Sequence, residues 1–213
     1  MKVSVVIPTY NRFNYLLNAI DSVKNQTYDD IEIIVVNDRS SEDSYYKYDF
    51  AGVNILHLDK NAIERHGRPM PGCYPRNVGM KISTGHYVAF LDDEYIGSDT
   101  YNPSENYPRY NAEHYWGALR KIYRKKGKGG LFPIPESCDG FPDVWNHEFI
   151  NTHNCCVCSS VVLSKRVIEK TGYFEIMPFA EDWEYWRRAL KHTDCIYVKE
   201  PCFYYDSGHG GGQ

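Results

Sequence analysis

Apolar positions fall along this chain in two rhythms. "VSVVIP" (Val3 to Pro8) is an unbroken β-branched run closed by proline, and "IEIIVVND" (Ile31 to Asp38), "VNILHL" (Val53 to Leu58) and "HYVAFL" (His86 to Leu91) repeat its form. Continuous apolar runs of this length predict strands buried on both faces. Between the first two runs, Phe13, Leu16, Leu17, Ile20 and Val23 recur at the helical period, with Asn11 expected as the cap. A short helix is predicted from Arg76 to Ser83, with Gly85 as its stop. Strands alternating with helices predict an α/β domain built on a mainly parallel central sheet flanked by helices.

The second half is less regular. The spacing predicts a helix over Tyr110 to Lys125, with Trp116, Leu119, Ile122 and Tyr123 on one face. "GLFPIPESCDGFPDVWNHEF" reads as a loop, Cys155 to Leu163 as a strand, "SKRVIEKTG" as a capped helix, and Glu181 to His192 as another helix. The tail "GHGGGQ" is expected to be flexible. With no linker-like stretch and no repeat, the expectation is a single domain over residues 1–213.

Composition narrows the function classes. The 24 basic and 28 acidic residues give a net charge of −4, which argues against a nucleic-acid partner. No apolar run reaches the ~20 residues of a membrane-spanning helix, and the start of the chain lacks the features of a signal peptide. Seven cysteines without framework spacing favour free thiols. The expected setting is therefore soluble and cytoplasmic, with the basic stretch "RKIYRKKGKGG" read as a solvated helix end and binding of an anionic acceptor or a membrane surface as its minority reading. "CCVC" (Cys155, Cys156, Cys158), near Cys138 and His153, lacks a CxxC pair, so buried free cysteines are expected there in preference to zinc ligands.

Ligands of open parallel sheets bind beyond the carboxyl ends of the strands. Thr9 and Tyr10 follow the first strand, Asp38 ends the second, and Asp92, Asp93 and Glu94 follow the fourth. Three adjacent carboxylates repel one another; a hard cation, which takes oxygen ligands, would relieve that repulsion. A solvated turn is the plainer reading of the triplet. Neither GxGxxG nor GxxxxGK[ST] is present, which excludes a dinucleotide fold of that type and a P-loop NTPase.

"VSVVIPTYNR", "IEIIVVNDRSSED", "RNVGMKISTGHYVAFLDDE" and "KTGYFE...AEDWEYWRRAL" follow in that order. The series resembles family 2 glycosyltransferases, which have the GT-A fold. Two features depart from the family pattern: Glu94 closes a triplet that usually ends in Asp, and "ERHGRPMPGCYP" is an extended insertion before Arg76.

The resemblance implies a nucleotide-sugar-binding half over 1–95, an acceptor half over 96–205 and a tail over 206–213. It implies an inverting, metal-dependent hexosyltransferase with Mn²⁺ or Mg²⁺ as cofactor. Its donor would be a nucleotide sugar, UDP-sugar favoured over GDP or dTDP, and its acceptor a glycan, a lipid-linked molecule or a protein. Carried over by position, Pro8, Thr9, Tyr10, Arg12, Asp38, Arg76, Asp92 and Asp93 would bind the donor, with Asp38 reading the base and Asn77 supporting the turn at Arg76. Asp182 would be the general base, beside Glu181. Metal ligands would come from Asp93 and Glu94, with His209 as a late ligand. An inactive nucleotide-sugar-binding module and a sugar nucleotidyltransferase are the rival readings.

Five further side chains carry weaker expectations. Arg65 and Arg68 in the insertion are expected to be solvated, with phosphate clamping the sharper option. Trp145 is open between core packing and stacking on a sugar, with His147 beside it, whereas Trp183 is expected in the core.

Overall fold

A computed structural model describes residues 1–93, 95–97, 111–112, 123–126, 130–133, 142–154, 156, 158–196 and 203–205. Its centre is a five-stranded sheet formed by β1 (Val3–Thr9), β2 (Ile31–Asn37), β3 (Asn54–His57), β4 (Tyr87–Phe90) and β10 (Val162–Ser164), in the spatial order β10-β4-β1-β2-β3. The first four strands are parallel and β10 runs antiparallel on the outside of β4. Strand order therefore reverses between β1 and β4, the switch point at which a crevice opens above the carboxyl ends.

The strand residues alternate between two cores, as the period of two requires. Val5, Ile7, Ile33 and Val35 face α1 (Phe13–Lys24), where Leu16, Ala19, Ile20 and Val23 cover them. Val6, Ile34, Val36 and Val88 face the other way, onto Met80 of α4 (Cys73–Ile82) and Trp186 of α7 (Glu181–Ala189). Each such buried side chain contributes ~1.5–3 kcal/mol. The helix α4 lies unusually close to β1 at Gly79, where an added Cβ would fall 2.3 Å from Val6 Cγ1. Only a residue without a side chain fits there.

Shorter pieces complete the described chain: α2 (Ser44–Lys47), α3 (Ala62–His66), α5 (His147–Thr152) and α6 (Lys165–Thr171). A three-stranded sheet joins β5 (Tyr95–Gly97), β12 (Phe203–Tyr205) and β6 (Asn111–Ala112). Two pairs remain: β7 (Tyr123–Lys126) with β8 (Gly130–Pro133), and β9 (Val144–Trp145) with β11 (Cys195–Ile196). Ser164 caps α6, its side chain accepting from the Val167 N–H.

Several sequence expectations change. Asn11 does not cap α1. It takes a left-handed φ of 51°, and its Oδ1 accepts from the Ser41 N–H at 2.7 Å, tying the loop after β1 to the loop after β2. Short polar side chains tolerate that conformation because they hydrogen-bond locally. The expected helix over 110–125 is contradicted at both ends, where Asn111–Ala112 and Tyr123–Lys126 are strands; residues 113–122, with Trp116, Leu119 and Ile122, lie outside the described residues. The basic stretch thus enters a hairpin, not a helix end: β-sheet pairing of Tyr123–Lys126 with Gly130–Pro133 overrides local propensity. The expected loop over 130–149 contains two strands and the start of α5, and the expected strand over 155–163 is a single 3₁₀ turn (Cys158–Ser160) followed by the short β10. Cys156 and Cys158 are buried and form no disulfide, while Cys138 and Cys155 lie outside the described residues, as does the tail.

Candidate active site

The crevice at the switch point is a cavity of about 220 Å³ lined by Pro8, Thr9, Arg12, Asp38, Pro71, Gly72, Pro75, Arg76, Asp92 and Asp93. Parallel pairing explains how residues so distant in sequence meet. The ladder between β1 and β2 runs one bond past the strands, from the Asp38 N–H to the Thr9 carbonyl at 2.9 Å. On the other flank the Leu91 N–H donates to the Val6 carbonyl, which delivers Asp92 and Asp93 to the same rim.

Arginines hold the carboxylates of this rim. Arg76, on α4, donates to Asp92 at 2.5 Å and to Glu181 at 3.2 Å. Its guanidinium is buried; burial opposes its charge, but Asp92 and Glu181 more than offset that and raise its pKa. Arg12, just before α1, donates to Asp93 at 3.1 Å. Asp92 is further fixed by Ser159, whose Oγ accepts from the Asp92 N–H at 3.0 Å and lies 3.3 Å from its Oδ2. Asp38 is buried, its Oδ2 accepting from the Ala62 N–H at 2.9 Å, and burial raises its pKa.

Glu181 and Asp182 open α7, preceded by Ala180 in the left-handed region at φ 57°, a strained conformation for a residue with a Cβ. Burial raises the pKa of both carboxyls; the Asp92 charge adds to this at Asp182, and Arg76 opposes it at both. The Asp182 Oδ1 accepts from the Trp183 N–H at 2.7 Å. Asn77 ties the segment that leads to this helix to α4. Its side chain donates to the Phe174 carbonyl and accepts from the Phe174 N–H, each at 2.8 Å.

Of the expected donor-binding residues, the cavity brings together Pro8, Thr9, Arg12, Asp38, Arg76, Asp92 and Asp93, whereas Tyr10 is half-buried and not part of its lining. Glu181 joins through Arg76, and Asp182 lies within electrostatic reach of Asp92. Glu94 and His209 lie outside the described residues. Arg65 departs from expectation: it is folded in, its guanidinium 3.8 Å from the Tyr74 ring centre and 3.7 Å from Asp38. Arg68 is exposed as expected. Full burial places Trp145 in the core, and Trp183 is half-buried with its indole N–H donating to the Ile150 carbonyl.

Sequence reasoning missed Tyr45 and Ser159. The buried Tyr45 hydroxyl accepts from the Arg12 N–H and bonds the Thr9 hydroxyl, both at 2.8 Å, and so shapes the β1–α1 turn. A tyrosine amid "SYYKYDF" gives no local sign of that task.

Asp92 and Asp93 suit a hard cation by ligand type. Mg²⁺ commonly takes one or two carboxylates and completes its shell with substrate phosphates and water. No group of three or more His, Cys, Asp or Glu side chains suited to a metal occurs among the described residues, so such an ion would draw further ligands from the substrate, from water or from residues beyond them.

The profile of the family described as glycosyl transferase family 2 matches residues 4–100, which carry β1 to β4 and the cleft. Over these residues the chain is similar to family 2 glycosyltransferases. It is 36% identical, over 64% of its length, to a poly(ribitol-phosphate) beta-glucosyltransferase of Bacillus spizizenii, covering 21% of that protein. It is 28% identical, over 99% of its length, to the poly(ribitol-phosphate) beta-N-acetylglucosaminyltransferase TarS of Staphylococcus aureus, covering 36% of it. The chain thus spans between a fifth and two-fifths of the length of these two relatives. Among solved structures, S. aureus TarS 1-349 in complex with UDP-GlcNAc superposes with a TM-score of 0.62 at 21% identity, over 100% of this chain and 60% of that one. The fold is GT-A, as the ordered motifs led one to expect.

Proposed function

We propose that the chain is a family 2 glycosyltransferase that transfers a hexose from a nucleotide-diphosphate sugar, UDP-sugar above all, to an acceptor hydroxyl with inversion. The observation that carries the reading is the switch-point cleft, where Asp38, Arg12, Arg76, Asp92 and Asp93 converge within one cavity. Asp38 offers a buried carboxylate oxygen to a ring N–H of the base. Arg12 and Arg76 bring positive charge toward a diphosphate.

Asp182 takes the proton of the acceptor hydroxyl as its oxygen attacks the anomeric carbon from the side opposite the diphosphate. The bond to the nucleotide breaks as the new glycosidic bond forms, so one displacement inverts the carbon. A pKa raised by burial makes Asp182 a better proton acceptor than an ordinary aspartate. Glu181, held by Arg76, orients this end of α7. A divalent cation, Mn²⁺ or Mg²⁺, held by Asp93 with Glu94 and His209 as the remaining candidates, supplies charge neutralisation at the leaving diphosphate when bound.

The test is UDP release from UDP-glucose and UDP-GlcNAc with Mn²⁺, with and without poly(ribitol phosphate), the acceptor named for two relatives. Acceptor-dependent release, abolished by EDTA and giving the inverted anomer by NMR, is expected. Tight UDP-sugar binding without turnover on any acceptor would point instead to a binding module.

A further inference from the structure

Asn37 ends β2 with a fully buried side chain whose orientation the neighbouring bonds decide. Its Oδ1 accepts from the Ser40 N–H at 2.8 Å, so its Nδ2 is the end that faces His57 Nδ1 on β3, at 2.9 Å. A reversed amide would set two N–H donors face to face at Ser40 and leave both unpaired. His57 Nδ1 is therefore an acceptor, which fixes the imidazole as neutral with its proton on Nε2.

The turn that Asn37 braces carries much of the rim of the cleft. Asp38 follows directly, and the Ser40 Oγ accepts from the Asn11 N–H at 2.8 Å. The Asn11 side chain in turn accepts from the Ser41 N–H, and the next residue, Arg12, holds Asp93. Arg39 occupies the left-handed region at φ 55°, a conformation costly to a residue with a Cβ, so the turn needs side-chain bonds to keep its shape. Tyr46 of α2 adds a second link between this turn and His57. Its ring lies over the imidazole, centroids 4.7 Å apart, and its hydroxyl donates to the Ser40 carbonyl at 2.7 Å.

We propose that His57 is a positioning residue of the donor cleft: its neutral ring holds Asn37 and, through Asn37, the turn that presents Asp38. Protonation would place an N–H on Nδ1 against the amide N–H groups of Asn37. The amide cannot turn over in answer, because Ser40 would then lose its acceptor. The brace is lost, and the donor nucleotide meets a looser rim. His57 is itself exposed, so protons reach it from solvent. Its ring meets Asn37 of β2 and Tyr46 of α2; Asp59 and Lys60, which follow it in the chain, are exposed. Among the described residues no charged group bears on its titration, and partial burial lowers its pKa. The inference rests on the donor-nucleotide reading of the cleft and adds to it a residue outside the lining of the cavity.

The experiment measures UDP affinity of the full chain by calorimetry from about pH 5 to 8 for the wild type, His57→Asn and His57→Phe, alongside NMR titration of His57. His57→Asn offers a carbonyl oxygen where Nδ1 stands and does not titrate, so it should match the wild type at neutral pH. In acid the wild type should weaken about 10-fold more than His57→Asn, the loss expected for one buried donor left unpaired. The phosphates of UDP and the other carboxyls titrate in both proteins, so this difference isolates His57. His57→Phe, which keeps the ring and removes the acceptor, should bind about 10-fold more weakly even at neutral pH. By linkage, saturating UDP should lower the His57 pKa by about one unit in the wild type, a reading that needs no variant to fold. One pH profile shared by the wild type and His57→Asn, or a His57 pKa unmoved by UDP, overturns the role of His57 and leaves the donor-nucleotide reading standing. Failure of the wild type to bind UDP at any pH overturns both.

Discussion

Arg76 and Glu181 are 105 residues apart in the chain and 3.2 Å apart in space. The other arm of the same guanidinium holds Asp92. One buried cation thus joins the end of β4 to the start of α7, and the two carboxylates it serves would repel each other without it.

Replacing Arg76 by Met should therefore cost about 3–5 kcal/mol, because it strands the buried Glu181 and the partly buried Asp92 carboxylates. Urea unfolding of the two proteins measures this. A loss under about 1 kcal/mol would mean that Asp92 and Glu181 find water in the folded state.

Asp182→Asn should lower kcat by about 10²-fold or more while leaving the Kd for UDP near the wild-type value. Steady-state kinetics and calorimetry separate the two. Loss of UDP binding in step with activity would remove Asp182 from the role of base.

The same substitution carries a stability prediction. Burial raises the folded-state pKa of Asp182 above its ordinary 3.8, so the folded protein holds that proton more tightly than the unfolded chain. The stability this lends is fully present below 3.8 and is lost as pH rises through the raised value. Asn removes the cost of the ionised form, so Asp182→Asn should melt above the wild type at about pH 7, and the difference should shrink toward about pH 3. A melting difference that grows on acidification would contradict the assignment. On the kinetic side, the acid limb of kcat/KM should lie above the ordinary aspartate range and belong jointly to the Glu181–Asp182 pair.

Gly79→Ala should destabilise the fold by about 1–3 kcal/mol, since the new methyl overlaps Val6 and a buried β-branched side chain on a central strand has little room to yield. A Val6→Ala background should recover part of that loss, and a double-mutant cycle by urea unfolding reads the coupling. Additive effects would show that the helix shifts instead.

The parallel core was legible because continuous apolar runs and a helical stripe have distinct periods, and β1, β2, β4 and α1 follow them closely. Strand ends are legible as well, and they alone put Thr9, Asp38, Asp92 and Asp93 on one rim. Arg76, Glu181 and Asp182 depended on the family resemblance, since an arginine on a helix and two acids at a helix start are ordinary by themselves. Tyr45 and Ser159 stayed hidden, and Arg65 reads as solvated, because each acts through partners 9 to 67 residues away, and no local pattern encodes such a pairing. Residues 111–112 and 123–126 misled for a related reason: short strands take their identity from the partner they pair with.

The reciprocal bonds between Asn77 and Phe174 bear on how the reaction centre is held. Asn77 adjoins Arg76 on one helix, and Phe174 leads into the turn that presents Glu181 and Asp182. The candidate base is thus hung from the same beam as the arginine of the cleft. With Arg76 holding Glu181 as well, α4 grips both ends of the segment from Phe174 to Glu181, so on the proposed reading the donor side and the base side of the cleft share one support.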